Sequence, residues 1–211
     1  MTFTLPRIYP ITDTGISGLS HTQQVVRLIS GGADFIQLRE KAAPSSEFYR
    51  SAVDVVRYAR ELNARVIVND RADIALLTGA AGVHLGQEDM PPAAARALLG
   101  DEAVIGLSTH SVEQARAAIE QPVDYIAIGP IFSTTTKDRS SPVVGLDGLR
   151  KVRSAVGSFP LVAIGGIDAG SVVDVLRAGA DSAAMVAALI GEPETIAEIM
   201  AALIELTSSI D

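Results

Sequence analysis

Short runs of nearly continuous apolar residues recur along the chain: IYPIT from position 8, DFIQL from 34, RVIVN from 65, GVHL from 82, AVIGL from 103, DYIAI from 124, PLVAI from 160 and DSAAMV from 181. Between them apolar side chains return every third or fourth position. Phe48, Ala52, Val55, Val56, Ala59 and Leu62 do so, as do Ile196, Ile199, Met200, Leu203 and Ile204 behind Pro193 in a first helical turn. The short runs predict strands and the spaced segments predict helices. A strand that is apolar at consecutive positions is covered on both faces, as in a parallel sheet wrapped by helices. The stretches GGADFIQL, GAAGVHLG and GADSAAMV repeat one junction, in which a glycine ends a helix and an apolar strand follows.

Eight strand–helix units in 211 residues approach the lower size of a (β/α)₈ barrel. An α/β TIM barrel, forming a single domain over residues 1–211, is therefore the expected fold. An open doubly wound sheet is the alternative, because strand count alone does not close a barrel. No stretch is proline-rich, low in complexity or charged enough to read as a linker.

In a barrel the chemistry stands where strands end and βα loops begin. Strands two to seven end in QLREK, VNDR, HLGQED, GLSTH, GPIFSTTTK and AIGGI, each polar or glycine-rich. QLREK places Gln37, Arg39 and Lys41 at two-residue spacing, on one side if the extended conformation continues. One amide and two cations suit a polyphosphate, and a solvated charged turn is the plain alternative. Asp70 and Asp89 follow neighbouring strands, with Asn69 alongside, so their carboxylates are placed to share one hard cation; each reads equally well as the N-cap of the next helix. One nearby histidine and no cysteine argue against zinc.

His84 within GVHLG reads as a hydrogen-bonded interior residue, and His21 and His110 as caps or surface residues. Ser108 lacks a histidine and carboxylate in a nucleophile pattern and reads as a polar contact. Gly165 and Gly166 permit close approach of a ligand and, with a helix start near Asp168, form a candidate phosphate cradle or a tight turn.

Composition acts mainly by exclusion. Seventeen basic against 25 acidic residues give a net charge of −8, so no positive field is available to hold nucleic acid or an anionic membrane. Cysteine is absent, which excludes disulfides and a thiol nucleophile. The longest apolar run, AAMVAALI, is far shorter than a membrane span, and the first residues lack a targeting pattern, so a cytoplasmic protein is expected.

Taken together, QLREK, VND, GVHLGQED, GPIFSTTTK and AIGGI resemble the thiamine phosphate synthase family, in its order and from strand two to strand eight. The resemblance implies a magnesium-dependent transferase that joins 4-amino-2-methyl-5-hydroxymethylpyrimidine pyrophosphate to thiazole phosphate and expels pyrophosphate. It implies that Gln37, Arg39, Lys41, Asn69, Ser108 and Lys137 face the pyrimidine pyrophosphate, with Arg39, Lys41, Ser108 and Lys137 acting in catalysis. It further implies that Asp70 and Asp89 hold Mg2+, and that Thr134, Thr136, Gly166 and the backbone at Val186 and Ala187 bind the thiazole phosphate. Ala187 departs from the family's usual serine. Small-molecule substrates are the partners implied, and the sequence sets no oligomeric state. A thiazole tautomerase of the same barrel family usually lacks the full pyrophosphate and lysine set. A non-catalytic phosphate-ligand-binding regulator needs neither the paired acids nor Lys137.

Overall fold

The computed structural model describes residues 4–134 and 142–210. The first half of the chain forms β1 (Ile8–Thr12), α1 (Thr14–Ser17), α2 (His21–Ser30), β2 (Phe35–Leu38), α3 (Ser45–Glu61), β3 (Arg65–Asn69), α4 (Ala72–Thr78) and β4 (Gly82–Leu85). The second half continues with α5 (Pro92–Leu99), β5 (Val104–Thr109), α6 (Val112–Ala118), β6 (Tyr125–Ile128) and α7 (Gly145–Val156). It ends with β7 (Leu161–Ile164), α8 (Val172–Arg177), β8 (Ser182–Met185), α9 (Ala187–Ile190) and α10 (Ile196–Thr207). All strand pairs are parallel. Strand β8 pairs back to β1, with Ile8, Tyr9 and Pro10 set against Ala183, Ala184 and Met185, so the sheet is a closed barrel and not an open one.

Pleating divides each strand between two cores. Tyr9, Ile11, Phe35, Ile67, Tyr125 and Val162 pack with one another inside the barrel. Ile8, Ile36, Val66, Val83, Ile126 and Leu161 point the other way, into the helices. This double burial is the reason the strands read as continuous apolar runs.

Helix α3 buries Phe48, Ala52, Val55, Val56 and Ala59 as their spacing predicts. Leu62 lies past its last turn and is half exposed. Pro193 sits in a short 3₁₀ turn, Pro193–Thr195, ahead of α10 rather than in its first turn.

One device recurs at the end of the barrel where strands begin. Arg96 from α5 bonds the carbonyl of Ala103 and the carboxylate of Asp124, which in turn accepts the Ile105 N–H. Arg153 from α7 repeats it two units later through Phe159, Asp181 and the Leu161 N–H. Each arginine ties its own helix to the next two strands. The opposite end, where the eight strands finish, carries the polar loops. Among the described residues, no helix is long and apolar enough to cross a membrane.

Candidate functional site

Strand β2 stops at Leu38, so the extended spacing expected to align Gln37, Arg39 and Lys41 ends after the first of them. Gln37 points into the barrel and donates its amide N–H to the Tyr9 hydroxyl at 3.0 Å. Arg39 turns to an ion pair with Asp13 after β1, and Lys41 crosses to an ion pair with Asp70 after β3. The trio therefore fans out, Gln37 into the barrel interior and the two cations to the loops after β1 and β3, instead of lining one side of a strand.

Glu40, which the sequence alone did not single out, sets this fan. Its carboxylate accepts the N–H groups of Ala42 and Ala43 at 2.7 and 3.0 Å, the Thr14 hydroxyl at 3.1 Å and His21 Nε2 at 3.2 Å. Burial alone would raise this carboxyl, but the four donors outweigh it and hold Glu40 at about 2. His21 is neither cap nor surface. Ser20 caps α2 in a capping box with Gln23, and His21 is buried between Glu40 and Thr12, its Nδ1 2.8 Å from the Thr12 hydroxyl. Burial lowers its pKa, against the pull of Glu40. The one signal available in the sequence was an acid placed between two cations in REK.

Asp70 and Asp89 do not cap helices: Arg71 and Pro91 hold the N-cap positions of α4 and α5, with no side-chain cap bond. Asp70 has a left-handed backbone, φ 62°, and its N–H meets the His84 carbonyl at 2.8 Å. Asp89 folds back to accept the Gly86 N–H at 2.6 Å. Burial raises the Asp89 carboxyl and the adjacent Asp70 charge raises it further, against the Gly86 hydrogen bond and the Lys41 charge. Two carboxylates thus stand close enough to repel, with one lysine beside them. Among the described residues, no three His, Cys, Asp or Glu cluster as metal ligands. A pair of hard oxygen donors fits Mg2+, which is commonly held by one or two carboxylates and takes its other positions from water and phosphate oxygens. It does not fit zinc.

Asn69 is buried at the end of β3, opposite His84 in the β3–β4 register. His84 is an interior residue, as its setting in an apolar run implied, and its Nε2 lies 2.9 Å from Ser108 Oγ near the end of β5. His110 is not a cap, since Ser111 caps α6; its Nδ1 lies 2.6 Å from the Gly129 carbonyl oxygen.

Thr134 ends the first described stretch of the β6–α7 loop, which resumes at residue 142, and Thr136 and Lys137 lie outside the described residues. The Phe132 N–H donates to the Gly165 carbonyl at 2.9 Å, so the loops after β6 and β7 meet backbone to backbone. Gly166 has φ +65°, and a Cβ on it would stand 2.6 Å from the Ser133 carbonyl oxygen. The glycine pair is thus explained first by this close approach. The expected cradle does not run on to a helix start at Asp168. That carboxylate accepts the Ser171 hydroxyl at 2.7 Å and its N–H at 3.0 Å, which lower its pKa, and α8 begins only at Val172. Val186 precedes α9, and Ala187, its first residue, is exposed.

A model of the thiamine monophosphate synthase family matches residues 8–189. The chain belongs to the thiamine monophosphate synthase family. A thiamine-phosphate synthase of Chloroflexus aurantiacus is 44% identical over 90% of this chain and 88% of its own, and that of Methanoculleus marisnigri is 43% identical over 90% of each. The solved thiamine phosphate pyrophosphorylase from Pyrococcus furiosus superposes with a TM-score of 0.86 at 35% identity, covering 96% of this chain and 95% of that one. The corresponding Bacteroides thetaiotaomicron structure, 18% identical with a TM-score of 0.69, shows likeness of fold alone. The chain is an enzyme of the thiamine monophosphate synthase family, and none of these likenesses favours a tautomerase or a regulator.

Proposed function

We propose that the chain condenses 4-amino-2-methyl-5-hydroxymethylpyrimidine pyrophosphate with thiazole phosphate, releasing thiamine phosphate and pyrophosphate, at the mouth of the barrel. The carrying observation is the meeting of Lys41, Asp70 and Asp89 from three successive βα loops, an arrangement suited to a polyphosphate and a divalent cation together. Arg39, Lys41 and Lys137 provide cationic donors for the departing pyrophosphate, with Gln37, Asn69 and Ser108 placing the pyrimidine half. Asp70 and Asp89 hold Mg2+, which when bound supplies positive charge to the leaving group. Thr134, Thr136, Gly166 and the backbone at Val186 and Ala187 receive the thiazole phosphate.

The methylene C–O bond breaks and its electron pair leaves with pyrophosphate. The lone pair of the thiazole nitrogen then forms the new C–N bond, and no proton changes hands. The residues contribute placement and field rather than covalent chemistry. The test is pyrophosphate release by the purified chain, which is expected only with both substrates and Mg2+ present. Isomerisation of a thiazole without pyrophosphate release, or tight phosphate-ligand binding without turnover, would overturn the reading.

A further inference from the structure

Beneath the mouth, five side chains from five strands form one hydrogen-bonded line through the barrel interior. Gln37 Nε2 reaches the Tyr9 hydroxyl at 3.0 Å, and Tyr9 reaches the Tyr125 hydroxyl at 3.0 Å. Tyr125 reaches His84 Nδ1 at 2.9 Å, and His84 Nε2 reaches Ser108 Oγ at 2.9 Å. The ends of the line are residues proposed to face the pyrimidine substrate. The three in the middle have no role so far.

The line has a direction. An amide nitrogen donates and cannot accept, and each phenol has one proton to give. The Tyr9–Tyr125 bond admits either hydroxyl as donor, but the buried Tyr9 proton has no acceptor in the line other than Tyr125, so the polarity that places every proton runs from Tyr9 to Tyr125 and from Tyr125 to His84 Nδ1. A neutral imidazole that accepts at Nδ1 carries its proton on Nε2, which then donates to Ser108 Oγ. Ser108 is left with its own proton free to point out of the barrel. Burial raises both tyrosines far above the ordinary phenol range, which keeps both protons in place.

The packing supports the same line. The His84 and Tyr125 rings lie nearly parallel, 25° apart, with centroids at 5.5 Å. Between them passes Gly106, where a Cβ would stand 2.1 Å from Tyr125 Cζ and 2.6 Å from His84 Nδ1. A side chain at 106 would destroy the Tyr125–His84 contact.

We propose that His84 is a positioning residue: held as the Nε2–H tautomer by a polarity that begins at Gln37, it makes Ser108 a hydroxyl donor aimed at the anionic pyrimidine substrate. This rests on the reading that Ser108 faces that substrate.

The first test needs no variant. In the whole chain labelled with ¹⁵N-histidine at about pH 8.5, two units above the ordinary imidazole value, His84 is expected to show a proton on Nε2 alone. A proton on Nδ1, or on both nitrogens, overturns the proposal. The second is a double-mutant cycle read in kcat/KM for the pyrimidine pyrophosphate. Ser108→Ala is expected to cost roughly tenfold or more, as for loss of one hydrogen bond to a charged group. In a His84→Phe background the same change should cost less than about threefold, because the hydroxyl is no longer oriented. His84→Gln, which keeps an N–H donor, should recover most of the loss. Equal costs of Ser108→Ala in both backgrounds mean that His84 acts structurally, and a Ser108→Ala enzyme as fast as the parent removes Ser108 from the substrate; either result overturns the proposal. A parent chain that releases no pyrophosphate tells against the proposed reaction instead, and the tautomer measurement still decides the hydrogen-bond line.

Discussion

At Asp70 an acid occupies a left-handed backbone position that most side chains avoid, and its carboxylate meets Lys41. Residues held in sparsely populated conformations cluster at functional sites. Asparagine tolerates the same backbone, and neither Asp70 nor Asp89 caps a helix. Asp70→Asn and Asp89→Asn are therefore expected to leave the melting temperature nearly unchanged while raising severalfold the Mg2+ concentration that supports half-maximal pyrophosphate release. A drop in thermal stability with an unaltered Mg2+ titration would assign the acids to structure. Ser182 is the opposite case, a residue with a polar group and no use for it. Among the described residues its Oγ is the buried side-chain oxygen without a hydrogen-bond partner, at the start of β8. Removing an unsatisfied buried hydroxyl relieves its desolvation cost, so Ser182→Ala should stabilise the fold by about 1 kcal/mol in urea denaturation and leave turnover alone.

Among the elements, the short helix α9 decides what the exchange of serine for alanine at 187 does. Ala187 is exposed at its first residue, so an added hydroxyl meets no packed neighbour. Ala187→Ser is expected to fold with the parent's melting temperature and to lower the KM for thiazole phosphate by up to about tenfold, the value of one hydroxyl hydrogen bond to a charged group. A phosphate remote from the reacting nitrogen is held alike in ground and transition states, so kcat should hold steady. An unchanged or raised KM in the folded variant would place residue 187 away from the phosphate. Gly166 offers no such clean readout. Its left-handed φ and its approach to Ser133 and Phe132 mean that any side chain there shifts the loop after β6 along with any ligand.

Across the whole molecule, acid should act through the Glu40–His21 pair that joins the β2–α3 loop to α1 and α2. Glu40 sits at about 2 in the fold against an ordinary 4.5, so its contribution to stability is complete above 4.5 and is lost as pH falls toward 2. His21 is lowered from 6.5 by burial, against the charges of Glu40 and Asp13, so protonation favours the unfolded chain as pH falls below 6.5. Both slopes run the same way. In urea midpoints measured across pH, the parent should lose stability steadily on acidification. Glu40→Gln should begin lower near neutrality and respond less below 4.5, because it has no proton to take up there. An acid limb as steep in the variant as in the parent would show that other carboxylates dominate.

The sequence by itself determined the eight βα units, the double burial of each strand, and the order in which polar loops follow strands two to seven. All of these are local: a strand's apolar run or a helix's three-four spacing records the environment of that segment alone. It also carried the paired acids, since Asp70 and Asp89 follow strands that a barrel makes neighbours. Only the tertiary structure decided that the sheet closes, that Arg39 and Lys41 part company toward Asp13 and Asp70, that His21 is buried on Glu40, and that Gly166 answers to another loop. Each of these depends on partners remote in the chain. The Gln37–Tyr9 bond spans 28 residues and the Tyr9–Tyr125 bond 116, and no local pattern states which two interior hydroxyls will meet once eight strands share one axis.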